Sequence, residues 1–170
     1  MLSLIWTLNE ILFLCFFQKR IKIMAYTIRK ATQKDLSGIL NLVRELAIYE
    51  KEPEAVTATL KDYEDNFEKI FEAHVAEFDG KIIGTTIYYM TWSTWKGRML
   101  YLEDFVITEN HRRNGVGQLL FDSFLKEAKK KNVRLVKWQV LDWNEPAIKF
   151  YEKNHAIIER DWWNVKIFTD

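Results

Sequence analysis

The feature that most limits how this chain can fold is the run Glu109-Asn-His-Arg-Arg-Asn-Gly-Val-Gly-Gln-Leu-Leu120, which contains Arg112-x-x-Gly115-x-Gly117. It follows a strand-like segment, Leu100 to Ile107, and opens a helix-like one, Gln118 to Lys131. Glycines at these points let the backbone turn tightly and bring several N–H groups toward one spot. A helix start adds donors without partners and the positive end of the helix dipole. Strand, glycine turn and helix together predict a cradle for a diphosphate, and the ligand it suggests is the pyrophosphate of a nucleotide-like cofactor. The dinucleotide fingerprint G-x-G-x-x-G fits badly, since Asn114 stands where its first glycine would be wanted. The NTPase loop G-x-x-x-x-G-K-[ST] occurs nowhere in the chain.

A second motif lies downstream. Val133 to Val140 is rich in β-formers and reads as a strand. Asn144 then reads as a helix N-cap with Pro146 in the first turn. Tyr151 follows seven residues after Asn144, nearly two helical turns, so both side chains share a face. A capping Asn and a core Tyr would look the same in isolation; the glycine turn upstream makes the pairing specific.

The strand before the glycine turn carries two carboxylates. Simple alternation puts Tyr101, Glu103, Phe105 and Ile107 on one face and Leu102, Asp104 and Val106 on the other. Either face sets an acid among large apolar groups, which is costly unless the acid is paired, protonated or used. A glutamate so placed has its pKa pushed toward the value a general base needs at neutral pH. An ion pair with a nearby Arg or Lys is the plainer alternative.

Five segments together carry a family resemblance: Ile28-Arg-Lys-Ala-Thr-x-x-Asp35, Glu45-Leu-Ala-x-Tyr-Glu50, Leu100-Tyr-Leu-Glu-Asp-Phe105, Arg112-x-x-Gly-x-Gly117 and Trp143-Asn-Glu-Pro-x-Ile-x-Phe-Tyr151. In this order the chain resembles the GNAT superfamily of N-acetyltransferases, and within it the spermidine/spermine (diamine) and thialysine acetyltransferases. The resemblance implies acetyl-CoA as cosubstrate, no metal, and direct transfer to an amine in a ternary complex. It implies Glu103 as general base, through water, and Tyr151 as the acid that protonates the departing thiolate. Phe105, Val106 and Ile107 would hold the pantetheine through main-chain N–H groups. Arg112, Arg113, Asn114, Gly115, Val116 and Gly117 would take the pyrophosphate, with further contacts from Asn144, Tyr151 and Lys153. On the acceptor side it points to Tyr49, Glu50, Trp95, Glu103 and Asp104. The stretch Trp92-Ser-Thr-Trp95 lacks the acidic residue that the polyamine enzymes carry near Ser93 and is similar to the thialysine branch, which favours a small diamine or a lysine-like amine. The family's usual glycine after the Tyr helix is His155 here, and Asn154 is expected to take the left-handed turn instead. Acetylation of protein lysines or N-termini, and a non-catalytic acyl-CoA-binding module, are the alternatives.

The rest of the composition fits a soluble enzyme. With 170 residues the chain can bury a good core, and a net charge of +1 gives no general pull toward nucleic acid or membrane. A single cysteine, Cys15, excludes a disulfide within the chain and suggests a cytoplasmic setting. His74, His111 and His155 lack metal-ligand spacing. Residues 1–23 are mostly apolar up to Phe17 and then basic. They are too short and interrupted for a confident span and read as a start assigned too early, with an amphipathic anchor as the rival. Residues 24–170 are expected to form one N-acetyltransferase domain. Its expected fold is α/β (α+β), a mixed central sheet with helices on both faces and two splayed central strands. Strands are expected at Tyr26–Lys30, Ala73–Phe78, Lys81–Thr91, Met99–Ile107, Val133–Val140 and Trp163–Phe168. Helices are expected at Asp35–Tyr49, from about Thr59 to Ile70, at Gln118–Lys131 and after Asn144. The late aromatics Trp162, Trp163 and Phe168, together with the resemblance, suggest a homodimer.

Overall fold

Burial at consecutive positions of the central strands, and so on both faces, decides the architecture. In the computed structural model, which describes residues 26–169, β1 (Thr27–Lys30), β2 (Glu72–Phe78), β3 (Lys81–Ser93), β4 (Gly97–Ile107) and β5 (Leu135–Lys137) form one sheet in that order. The first four are antiparallel neighbours, and β5 runs parallel to β4. Ala73, Val75 and Ile87 turn to one face and pack with Leu36 and Ile39 of α1 (Leu36–Tyr49) and with Phe67, just beyond α2 (Leu60–Asn66). Ala76, Ile83 and Ile107 turn to the other and pack with Val116 and Leu120 of α3 (Val116–Lys130). Helices thus cover both faces, as expected, because both sets of alternate positions are apolar.

The turns follow their residues. Asp79 and Gly80 take φ of 50° and 71°, the left-handed pair that a tight hairpin needs. Thr59 caps α2 through a reciprocal pair with Asp62, its hydroxyl accepting from Asp62 N at 3.2 Å. That helix ends at Asn66 instead of reaching Ile70, because Phe67 is extended and Glu68 is left-handed.

The described residues fall into two units, one ending at Trp138 and one beginning at Gln139. The second contains α4 (Glu145–Lys153), capped by Asn144, whose side chain accepts from Ala147 N at 3.3 Å. Two expectations fail in this unit. No strand forms at Trp163–Phe168: among the described residues the last strand is β5, and Trp163 is 92% exposed. The segment is apolar enough for a strand, but among the described residues it pairs with no other strand. After α4 the left-handed residue is His155, at φ 61°, whereas Asn154 stays at −91°.

Two details of β4 position the site. Its pairing with β5 covers only Met99, Leu100 and Tyr101, opposite Leu135, Val136 and Lys137, while β4 runs on to Ile107. The expected strand Val133–Val140 is correspondingly cut to three residues. The register with β3 also slips by one residue, since Tyr88 faces Leu102 but Ile87 faces Asp104. Glu103 is the extra residue of this β-bulge.

Candidate active site

The bulge reverses the faces of β4. Leu102 pairs with Tyr88, whose ring meets Phe124 of α3 at 5.4 Å. Beyond Glu103 it is Phe105 that meets α3, stacking on Phe121 at 5.8 Å, and Ile107 that joins the same core. Asp104, opposite Ile87, is thereby turned to the α1 side, the side of Tyr101, which stacks on Tyr89 at 5.4 Å. The expected grouping of Tyr101 and Glu103 with Phe105 and Ile107 is therefore wrong. Strict alternation cannot show an inserted residue.

The same slip reassigns the buried carboxylate. Glu103 is exposed, so the desolvation argument does not apply to it. It applies to Asp104, whose carboxyl is pushed up to about 7 by burial, then by the negative charges of Glu103 and Glu50. Glu50, at the end of α1, is itself raised by burial. Two phenols border the acids. Burial and the charge of Asp104 push Tyr63 up to about 12, with Arg44 opposing and Glu103 adding to the effect. Burial and Glu103, which accepts a hydrogen bond from the phenol, push Tyr89 up to about 12. Glu50, Glu103 and Asp104 thus meet among tyrosines, which is the chemistry of a site for a cation. Tyr63 and Tyr89 were not singled out from sequence. The pairing of Tyr89 with Tyr101 across the hairpin was the available signal.

The glycine turn closes beside this group. After Ile107, the turn Glu109–His111 leads to Arg113 and Gly115 with φ of 60° and 85°, and α3 starts at Val116. Gly115 carries a left-handed conformation that an L side chain resists by roughly 1–2 kcal/mol. Arg113 adopts one despite its side chain, and Asn114 braces it by donating from Nδ2 to the carbonyls of His111 and Arg112 at 3.2 and 3.1 Å. Arg112 Nε donates to Ile107 O at 2.9 Å, and its guanidinium lies 5.0 Å from the Tyr49 ring centre. Among the described residues, no N–H from Arg113 to Gly117 donates to a backbone carbonyl. A Cβ at Gly117 would lie at ordinary contact distance, 3.7 Å from Phe105 and 3.9 Å from Ile107. N–H groups without a backbone acceptor at the positive end of a helix fit a pyrophosphate.

The remaining expected residues are placed separately. Trp95 is 83% exposed at the tip of the β3–β4 hairpin, and the six residue steps from Gly97 to Glu103 span about 20 Å at ~3.4 Å each. The chain does not bring Trp95 to the acidic group. Asn144, Tyr151 and Lys153 belong to the second unit. There Tyr151 is buried, with its ring edge-on to Phe150 at 5.7 Å, and Lys153 is exposed in the last helical turn.

With this geometry in hand, known proteins can be compared. Residues 36–156 match the family described as Acetyltransferase (GNAT) family. The chain belongs to the GNAT acetyltransferases. GNAT enzymes use acetyl-CoA as cosubstrate, and this chain is an acyltransferase. It is 31% identical over 150 residues to a thialysine N-epsilon-acetyltransferase of Bos taurus, covering 81% of this chain and 88% of the relative. It is 30% identical over 142 residues to a spermidine/spermine N(1)-acetyltransferase-like protein of Homo sapiens, covering 78% of this chain and 20% of that protein. Among solved structures, a metagenomic aminoglycoside acetyltransferase in complex with sisomicin superposes with a TM-score of 0.72 at 17% identity, over 86% of this chain and 97% of that one. This last likeness concerns the GNAT fold alone. No helix among the described residues is long and apolar enough to cross a membrane.

Proposed function

We propose that this GNAT chain acetylates a primary amine of a small diamine, a polyamine or a lysine-like acceptor such as thialysine. The observation that carries this reading is the meeting of Glu50, Glu103 and Asp104 among tyrosines on the strand that leads into the glycine turn. Three acids together, Glu50 and Asp104 of them partly buried, favour a compact cation over a neutral or anionic acceptor. The relatives named for thialysine, and an L-ornithine N5-acetyltransferase of Arabidopsis thaliana that is 34% identical over 85 residues (49% of this chain, 37% of the relative), support an amino-acid acceptor.

The cosubstrate supplies an acetyl thioester whose sulfur departs as a thiolate. The protein's part is to deliver a free amine and return a proton. The acceptor enters as an ammonium, and a carboxylate at the bulge takes its proton, leaving the nitrogen lone pair to attack the acetyl carbon. Glu103 is the assigned base, directly or through water. Asp104 is the second candidate, because its carboxyl near 7 is poised for proton transfer at neutral pH while Glu103 lies exposed. Phe105, Val106 and Ile107, on the stretch of β4 that leads into the glycine turn, would present main-chain donors to the pantetheine and the thioester oxygen. Arg112 to Gly117 would hold the pyrophosphate. Asn144 and Lys153 would add contacts, and Tyr151 would donate its phenolic proton to the sulfur. A homodimer in the cytoplasm completes the proposal.

The test is a turnover screen with acetyl-CoA over thialysine, lysine, ornithine, short diamines, spermidine and basic peptides. Highest kcat/KM on a small amine supports the reading. Preference for a peptide would move the acceptor to protein lysines or N-termini, and CoA binding without turnover on any amine would make the chain a binding module.

A further inference from the structure

Two residues outside the Arg112–Gly117 run, Tyr26 and His111, meet next to the glycine turn. Tyr26, only 7% exposed just before β1, belongs to the apolar cluster that also contains Ile107 and Val116. Those two residues bracket the turn, so one cluster seats both of its ends. The Tyr26 hydroxyl reaches the middle, lying 3.2 Å from Nδ1 of His111. The hydroxyl and the ring nitrogen share one hydrogen bond, whose donor is set by the imidazole tautomer. The two rings meet edge to face at 5.8 Å, and Phe78 meets His111 from the β2–β3 turn at 5.1 Å. His111 passes the restraint onward, since its carbonyl accepts from Asn114, the side chain that braces left-handed Arg113.

We propose that Tyr26 and His111 form a positioning pair that fixes the glycine turn in its donor-converging shape and thereby sets CoA affinity without touching CoA. The pair rests on the assignment of Arg112 to Gly117 as the pyrophosphate site. Its logic is preorganisation. A turn with two left-handed residues pays an ordering cost on binding unless the protein has already fixed it. One part-buried hydrogen bond and two ring contacts, anchored in the sheet core through Tyr26, do the fixing.

The experiment is calorimetric titration of CoA into the wild type and into Tyr26→Phe, His111→Leu and His111→Asn, with melting temperatures measured without ligand. Asn can place its side-chain oxygen near the position of His Nδ1, and Leu cannot. Tyr26→Phe and His111→Leu are expected to raise the CoA Kd about three- to tenfold, the worth of one ordinary buried hydrogen bond. His111→Asn is expected to stay within about twofold of wild type, since it retains that bond. KM for acetyl-CoA should follow Kd, while kcat at saturation should hold. Unchanged Kd in folded Tyr26→Phe, or His111→Asn as weak as His111→Leu, overturns the positioning pair. Wild-type protein that binds no CoA overturns the pyrophosphate assignment instead.

Discussion

Asp104 and Glu103 are adjacent in sequence and differ in almost every physical respect. Asp104 is held near 7 by burial and by its acidic neighbours, and Glu103 stands at the bulge in solvent. Their roles can be separated by replacing each in turn. Glu103→Gln is expected to lose roughly 10²–10⁴-fold in rate at neutral pH, the range for a positioned acid or base, with CoA affinity unchanged by titration. Asp104→Asn is expected to abolish a rising limb of kcat/KM centred near pH 7. If Glu103→Gln keeps wild-type turnover and Asp104→Asn loses it, the base is Asp104. The two acids also differ in legibility. That the strand carries a poised carboxylate follows from setting acids among Leu, Tyr, Phe and Val. Which acid is poised depends on a one-residue slip against β3, and that slip is fixed by the pairing partner rather than by β4's own composition.

At the scale of elements, the glycine turn and α3 were readable because their chemistry is local. Gly115 takes the left-handed conformation its position demands, and Thr59, Asn144 and Asp79-Gly80 act as their residue types imply. The expected strand at Trp163–Phe168 does not form, and strand formation depends on a pairing partner, which is not a local property of the segment. A direct check on the turn is Gly115→Val. The forced φ of 85° should cost roughly 1–2 kcal/mol of stability by chemical denaturation. CoA affinity should fall by more than that strain implies, because the side chain stands where backbone donors must approach the phosphates. An unchanged CoA Kd in the folded variant would remove the turn from the cofactor site. In α4, Asn144→Ala should cost about 0.5–2 kcal/mol through the lost cap, a change that urea denaturation can resolve.

For the whole molecule, the pH dependence of stability should have two opposing limbs. His74 is 4% exposed, stacked on Tyr88 at 5.4 Å, and burial drives it down to about 4. The folded state therefore resists a proton that the unfolded chain accepts near its ordinary 6.5, and stability falls as pH drops from about 6.5 toward 4. Asp104 acts the other way. The folded state keeps a proton that the unfolded chain loses near 4, so stability falls as pH rises from about 4 through 7. Asp104→Asn should raise stability at pH 8 relative to pH 5, and His74→Phe should flatten the acid side. Denaturation midpoints across pH 4–8 measure both, and parallel profiles for wild type and variants would rule the assignments out.

Assembly is the last property of the whole molecule, and it concerns the second unit's tail. Trp162, Trp163, Val165, Ile167 and Phe168 are 70%, 92%, 87%, 86% and 79% exposed. Single exposed apolar residues are ordinary, but a run of this density costs solvation free energy that contact with another surface recovers. A two-fold pair meets the need economically, because one apolar patch presented twice closes on itself and leaves no edge for further growth. The proposed homodimer should therefore appear by light scattering at micromolar concentration. Trp163→Ser together with Phe168→Ser should shift it to monomer, since both are large exposed aromatic side chains of the run. The same double variant should leave CoA affinity in place, because the glycine turn is built within the first unit. A wild type that is monomeric and fully active at those concentrations would end the dimer proposal and require another cover for the tail.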